Sequence, residues 1–347
     1  MKKKIIILVI IALIISSGVL GYDIIKINIK EANRTAIEND KYLEIDALNL
    51  KVAKIDYEDA LKKAKITSRY TFNGQITAYY IPYNKETSVQ LTILNNNKTI
   101  KLIEKDVLAA SYDYYINNAN YNMAKDSYEQ LKKQFEETKD ISDIEYKQLK
   151  YNLQGAKIKL QSAKNTLVKT TTKIQEMLQS DKIVDISTMV LKTPYEFDFE
   201  TILDIAKKEN IDLYIKSRNK EAKKIYFDIT KKYYKENTVN YINALASFNK
   251  ATLDYEKQIN NLEIKILNDL NNLKTAYDYI QLEQLNNSIK QEEYNVAVIQ
   301  YEKGYISKNI LDSKKSNLEG AKNQLIIKEK SYSMSLKEFE IYTGFMD

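Results

Sequence analysis

Apolar residues recur three and four positions apart along most of the chain after residue 38. The longest run of this kind covers residues 240–303 without a glycine or a proline, and its spacing is that of a coiled-coil seam. At 1.5 Å per residue, the run predicts a helical rod of about 95 Å. The predicted seam consists of Ile259, Leu262, Ile266, Leu270, Leu273, Tyr277 and Ile280.

Shorter runs with the same spacing predict helices at residues 42–67, 211–235 and 307–342. The last two together match the length of the long rod if they stack end to end. In the helix at 42–67, the predicted inward face is Ala47, Leu50, Ala53, Tyr57 and Leu61. In the helix at 307–342, it is Leu311, Leu318, Ala321, Leu325, Tyr332, Phe339 and Tyr342.

The helical pattern breaks at residues 303–307, KGYIS. Gly304 can adopt the left-handed conformation that ends a helix, and the Ser307 hydroxyl can accept a hydrogen bond from the first turn of the next helix. The segment therefore predicts a hairpin of two antiparallel helices. We expect Tyr305 and Ile306 to be exposed at its tip, where bulky apolar side chains favour an interface.

The chain carries this hairpin pattern twice. YNMAKDSYE from Tyr121 and YNVAVIQYE from Tyr294 share five of nine residues, and NLQGAK from Asn152 matches NLEGAK from Asn317. Internal repetition of this kind indicates one structural unit used twice. The predicted organisation is a first helical repeat at 38–180, a linker at 181–199 and a second repeat at 200–347.

The closing segment resembles that of the TolC, or outer membrane efflux, family. The resemblance is carried by Tyr301-x-x-Gly304-x-x-Ser307, then L-x-G-A-x-x-x-L from Leu318, then the terminal Tyr342 with Thr-Gly after it. It extends over roughly residues 38–344. The fold it implies is all-α, with long antiparallel coiled-coil helices in a duplicated hairpin architecture.

The same resemblance implies partners and a function. It implies a homotrimer that forms a passive helical duct and works with a membrane-fusion adaptor and an inner transporter. The hairpin tips are then the surfaces that dock the adaptor. The implied tip residues are Lys139, Asp140, Ile141 and Ser142 in the first repeat, and Gly304, Tyr305, Ile306 and Ser307 in the second.

One segment departs from the family pattern. TolC-like proteins insert two strands from each repeat, and these close a transmembrane barrel in the trimer. Here only SRYTFNGQITAYYIPYNKET from Ser68 combines a glycine, a proline and β-forming residues, and residues 231–257 contain neither glycine nor proline. The sequence therefore predicts reduced or missing barrel strands, with at most a short β-like segment near 68–95.

The N-terminus indicates an extracytoplasmic protein. Three lysines precede an apolar run from Ile5 to Ile15, which is the layout of a secretion signal. Residues 1–21 are therefore either a cleaved signal peptide or a retained membrane anchor. The implied location is the cell envelope: the outer membrane if the cell has one, otherwise secreted or held at the membrane by the N-terminus.

Composition excludes most catalytic chemistry. The chain has no histidine and no cysteine, so the usual metal ligands, thiol nucleophiles and neutral-pH bases are absent. The net charge is +6, of which the three lysines at positions 2–4 contribute half. The remaining charges alternate in sign along the helices, a pattern of solvated faces and not of a nucleic-acid surface. We expect no catalytic residue, no metal, no cofactor and no enzyme activity.

Two functional hypotheses remain. The first is the duct described above, and the second is a structural coiled-coil spacer or adaptor of the cell envelope that conducts nothing. A group of tyrosines could line a conduit, but packing between helices is the expected use. These are Tyr112, Tyr114, Tyr115, Tyr121 and Tyr128.

Overall fold

The computed structural model describes residues 24–138, 142–187, 191 and 193–345. These residues are predominantly helical, so the all-α prediction is confirmed. The elements in chain order are β1 Ile24–Asn28, α1 Ile29–Glu38, α2 Lys41–Ile66, α3 Phe72–Gln75, a π-helix at Ile76–Tyr80, α4 Ile81–Glu137, α5 Asp143–Leu178, β2 Ile183–Ser187, a 3-10 turn at Pro194–Glu196, α6 Phe199–Glu209, α7 Ile211–Tyr233, α8 Val239–Glu302 and α9 Lys308–Thr343.

The predicted coiled-coil seam forms the core between α8 and α9. Helix α8 has 64 residues, and its seam positions from Leu262 to Ile280 are buried or packed against the buried cluster. The opposing face of α9 contributes Tyr332 and Phe339, both almost fully buried. Burial of each large apolar side chain contributes about 2 kcal/mol, so this seam holds the second hairpin together.

Helix α9 also runs antiparallel to α4, through polar contacts. Lys330 Nζ lies 2.6 Å from an Asp113 carboxylate oxygen, and Lys315 Nζ lies 2.9 Å from one of Asp126. Between them the side-chain amides of Asn323 and Asn120 are hydrogen-bonded at 2.8 Å. Helix α9 therefore joins the two hairpins, α4–α5 and α8–α9.

The tyrosines of α4 pack between helices, as expected. Tyr112, Tyr114 and Tyr121 are buried, and the Tyr112 hydroxyl lies 3.1 Å from the Ser333 hydroxyl on α9. Burial raises the pKa of Tyr112 to about 12. These rings therefore serve as core side chains of the inter-hairpin contact.

The sequence allowed at most a short β-like stretch near 68–95, and the structure has no strand there. No strand occurs between residues 67 and 138, all of which the structure describes; α3, the π-helix and the first part of α4 occupy the segment. Gly74 is required because a Cβ there would overlap the Ser68 backbone carbonyl. Pro82 lies in the first turn of α4, and the wider π turn before it accommodates a ring that disrupts regular helical hydrogen bonding.

The described residues contain two strands that the sequence analysis did not predict. β1 pairs in parallel with β2, with Ile24 opposite Ile183. The Ser111 hydroxyl of α4 donates to the Ile186 carbonyl at 2.8 Å, and the Tyr115 hydroxyl donates to an Asp185 carboxylate oxygen at 2.7 Å. The predicted linker at 181–199 thus contains β2, whereas the predicted signal or anchor at 1–21 lies outside the described residues.

The inward face of α2 was only partly predicted. Leu50, Ala53 and Tyr57 are half-buried, but Ala47 and Leu61 are exposed. The buried positions of α2 are the small residues Ala60 and Ala64, and the helix packs against α4 and the π-helix. The apolar pattern of α2 marks two faces, and only one of them is covered within the chain.

Glu329 on α9 generates a prediction about pH. Burial raises the pKa of its carboxyl to about 7 from an ordinary value of 4.5. A raised pKa favours the neutral form, so stability is fully present below pH 4.5 and is lost as the pH rises through about 7. We expect Glu329→Gln to be more stable than the parent at pH 8, by about 1 kcal/mol after solvent screening, and similar to it at pH 4.

Chemical denaturation at the two pH values measures this effect. Glu176→Gln, on the exposed surface of α5, is the control and should show the same difference from the parent at both. Equal stability of the parent and Glu329→Gln at pH 8 would contradict the prediction.

Candidate functional site

The tip of the second hairpin is closed by backbone hydrogen bonds around Gly304. Gly304 has φ +74°, and its N–H donates to the Tyr301 carbonyl at 2.9 Å. The Tyr305 N–H donates to the Gln300 carbonyl at 2.8 Å. This pair of bonds is a Schellman motif, which satisfies the last carbonyls of α8. The predicted left-handed conformation of Gly304 is therefore confirmed.

Ser307 occupies the N-cap position of α9, but its hydroxyl makes no capping hydrogen bond within the described chain. The predicted side-chain cap is wrong. The Ile310 N–H, which a capping hydroxyl would bind, donates instead to the Ser307 backbone carbonyl at 3.1 Å. Since the backbone already satisfies that donor, the exposed hydroxyl is not needed for the turn.

The side chains of this tip differ in exposure. Tyr305 is 76% exposed, as expected, whereas Ile306 is half-buried and not exposed. Ile310 in the first turn of α9 is 48% exposed. The tip therefore presents the Tyr305 ring and, one turn later, the Ile310 side chain to water, a small apolar surface.

The tip of the first hairpin is described only from Ser142 onward. Ser142 caps α5: the Glu145 N–H donates to its hydroxyl at 3.3 Å, and its own N–H donates to a Glu145 carboxylate oxygen at 3.0 Å. These hydrogen bonds lower the pKa of Glu145. Lys139, Asp140 and Ile141 lie outside the described residues.

The antiparallel pairing of α4 and α9 brings both tips to one end of the molecule. Lys105 near the middle of α4 pairs with Glu338 late in α9, whereas Asp126 near the end of α4 pairs with Lys315 early in α9. Following this register places the α4–α5 turn beside the α8–α9 turn. Ser142 and Gly304 therefore share that end, which we call the tip end.

Sequence reasoning missed a second apolar stripe on two of the helices. These side chains are about half exposed or more and keep the three-four spacing. The signal was therefore present in the sequence, but only one inward face was predicted for each helix. On α2 they are Ile45, Leu48, Val52 and Ile55, and on α8 they are Leu282, Leu285, Ile289, Val296 and Ile299.

The described part of the chain offers no built metal centre. Nowhere in it do three or more acidic side chains come together in a way that could hold an ion. A separate search of the same residues finds that none of their helices combines the length and apolar character needed to cross a membrane.

Solved structures of outer membrane channels share this architecture. The Campylobacter jejuni CmeC outer membrane channel aligns with a TM-score of 0.64 at 12% identity, covering 91% of this chain and 85% of its own. The Vibrio cholerae outer membrane protein VceC aligns with a TM-score of 0.63 at 10% identity, covering 91% and 96%. The open-state Neisseria gonorrhoeae MtrE outer membrane channel gives 0.59 at 12%, covering 91% and 89%.

This chain has a TolC-like fold. At such low identities the likeness establishes the fold alone. No family model and no curated protein matches the sequence. The resemblance predicted from the closing segment is thus confirmed at the level of the TolC-like fold, over nine-tenths of the chain.

Gly304 provides a test of the tip geometry. Gly304→Ala places a Cβ on a residue at φ +74°, which costs about 1 kcal/mol in the left-handed conformation. The control is Gly320→Ala in the middle of α9, where a Cβ has open space and alanine favours the helix by up to about 1 kcal/mol. Thermal unfolding should show a lower midpoint for the first variant and an equal or higher one for the second; the reverse order would contradict this geometry.

Proposed function

We propose that this protein is the passive helical duct of an export or efflux system in the cell envelope. The observation that carries the proposal is the TolC-like fold combined with helix faces that stay uncovered within one chain. The aligned proteins are outer membrane channels, which supports a conducting role. Solutes would move through a bundle built from several copies, and a partner transporter would supply the energy.

Uncovered apolar stripes support self-association. The α2 and α8 stripes lie on long helices that have already buried another face within the chain. A side chain such as Leu48, 63% exposed, gains free energy when a second copy covers it. We propose that three copies cover one another's stripes in a homotrimer. The two-repeat organisation, 38–180 and 200–347 joined by 181–199, belongs to the same proposal.

The tip end is the proposed docking surface for a membrane-fusion adaptor. In the second tip Tyr305 and Ile310 are exposed at a turn that the backbone around Gly304 already closes. The turn itself does not require large apolar side chains there, whereas an interface gains from them. Ile306 and Ser307 belong to the same tip, and Lys139, Asp140, Ile141 and Ser142 are its proposed counterpart in the first hairpin.

A second function is supported by the other end of the molecule. Residues 67–80 and 234–238 form short turns and helices, and no strand extends from either segment in the described chain. A structural coiled-coil spacer of the cell envelope that conducts nothing would need no more than this. The presence or absence of a lumen in the assembled particle separates the duct from the spacer.

Removal of the α2 stripe should weaken assembly. We expect the fourfold variant of Ile45, Leu48, Val52 and Ile55 to serine to weaken association by at least about tenfold, because each side chain loses apolar area that a neighbouring copy would cover. Light scattering across a concentration series measures the mass. The parent should approach three times the monomer mass.

The control changes polar residues of the same helix. Glu44, Lys51, Lys54 and Glu58 are exposed on α2, and their replacement by serine should leave the assembly mass almost unchanged. A parent that stays monomeric at micromolar concentration would overturn the trimer, as would equal association of the stripe variant and the parent.

The docking role of the tip is tested by Tyr305→Ser with Ile306→Ser. Gly304 is kept, so the turn survives while the apolar contact is lost. Co-purification of the membrane-fusion adaptor expressed with the chain should fall at least about tenfold, with helicity and assembly mass unchanged. Retained adaptor binding would refute docking and leave the tips as turns alone.

A matched control exists at the opposite end. Tyr70 and Ile66 are 93% and 86% exposed, so Tyr70→Ser with Ile66→Ser removes the same two side-chain types from another surface. This variant should bind the adaptor as the parent does.

A further inference from the structure

The end opposite the tips is formed by residues 62–75 and 231–239, which are two contacting turns together with the last residues of α2 and α7. The Gln75 side-chain Nε2 donates to the Tyr233 hydroxyl at 3.1 Å, and Lys232 Nζ donates to the Gln75 side-chain oxygen Oε1 at 3.2 Å. The Phe72 ring lies 5.9 Å and 5.5 Å from the rings of Tyr233 and Tyr234. These contacts join the α2–α3 turn and the α7–α8 turn into one surface, which we call the aromatic-basic end.

Positive charge is concentrated on this surface. Residues 62–75 and 231–239 contain seven lysines and arginines and a single acidic residue, Glu236. Two of the lysines, Lys62 and Lys231, form ion pairs with Asp59 and Asp228. The remaining basic side chains are exposed: Lys63, Lys65, Arg69, Lys232 and Lys235. The tip end, by contrast, has charges of both signs close together, as in Glu136, Glu137, Lys303 and Lys308.

Apolar side chains project among these charges. Tyr70 is 93%, Ile66 86% and Val239 71% exposed, the first two being the most exposed large apolar side chains of the described residues. Each of the three has a lysine or arginine within four positions along the chain. Exposure of these three side chains to water does not stabilise the fold, because Phe72 and Gly74 already pack the turn.

The combination points to one kind of partner. Proteins bind the membrane interface without crossing it by two kinds of contact. Lysine and arginine side chains lie beside anionic headgroups, and aromatic and aliphatic side chains insert at the hydrocarbon boundary. Exposed apolar side chains alone would suit a protein interface equally well, as at the tip end; the excess of basic side chains around them is what favours a layer of anionic headgroups at this end. We propose that the aromatic-basic end binds the surface of an anionic lipid bilayer, with Tyr70, Ile66 and Val239 as shallow anchors.

This inference goes beyond the duct and does not depend on it. A duct and a spacer would each be held at this end by the same contact, without any strand from residues 67–80 or 234–238 entering the bilayer. The duct could therefore fail while the lipid contact holds, and the reverse is also true.

The absence of native cysteine allows a position-specific test in the full chain. Asn237→Cys, in the exposed α7–α8 turn, and Asn309→Cys, in the first turn of α9 at the tip end, are each labelled with the environment-sensitive dye NBD. The labelled proteins are mixed with vesicles of phosphatidylcholine alone or with phosphatidylglycerol added. A lipid that carries a doxyl group at the headgroup quenches the dye when the dye reaches the interface.

We expect the emission of the dye at position 237 to rise and to be quenched only with phosphatidylglycerol vesicles, while the dye at position 309 stays unchanged. Replacing Lys63, Lys65, Arg69, Lys232 and Lys235 by glutamine should weaken the response at least about tenfold, and added salt should do the same.

Two further variants separate the insertion of apolar side chains into the bilayer from the electrostatic attraction of the basic side chains. Changing Ile66, Tyr70 and Val239 to serine should abolish the quenching, whereas Tyr305→Ser with Ile306→Ser should leave it intact. Circular dichroism establishes that each variant keeps its helices.

Four outcomes would overturn the proposal. These are equal responses at positions 237 and 309, equal responses to the two lipid compositions, no response at all, and a rise without vesicles that grows with protein concentration. Equal responses at positions 237 and 309 would mean that the whole chain contacts the membrane. A rise without vesicles would mean that the aromatic-basic end binds a second copy of the chain.

Discussion

The architecture depends on the position of α9 between two helices that it contacts in different ways. Its contact with α8 is apolar and closely packed, with Tyr332 and Phe339 almost fully buried. Its contact with α4 combines buried tyrosine with a polar register set by Asp113, Asn120 and Asp126. The apolar contact supplies most of the stability, and the polar one fixes the alignment, because a one-turn slip would separate every pair.

That alignment gives the molecule two different ends. The tip end is made of tight turns closed by the backbone around Gly304 and by the Ser142–Glu145 capping box. The aromatic-basic end is made of a turn packed on Phe72 and Gly74 with protruding apolar side chains. Between them, long helices leave apolar stripes uncovered.

The sequence predicted the parts of this fold that follow from local periodicity. The α8 seam and the α9 face were correct because three-four spacing over many turns has one structural solution. The inward face of α2 was only partly predicted because its buried positions, Ala60 and Ala64, are small residues with a weak apolar signal. The β1–β2 pairing was missed because parallel pairing of segments far apart in the chain leaves no local pattern.

The roles of one glycine and one proline depend on tertiary contacts and were not predicted from the sequence. Gly74 and Pro82 looked like markers of a β-like segment, but one allows the Ser68 backbone to approach and the other sits after a π turn. At the candidate site, Gly304 was predicted because its role is local, whereas the half-burial of Ile306 depends on neighbouring side chains and had no sequence signal.

We propose that several copies assemble side by side around a lumen, with the uncovered helix stripes between them. Electron cryo-microscopy of the purified full-length protein tests it most directly. We expect a three-fold particle with a central channel and a long axis close to the length of α8, roughly 95 Å. A single rod, or a bundle whose axis is filled by side chains, would contradict it.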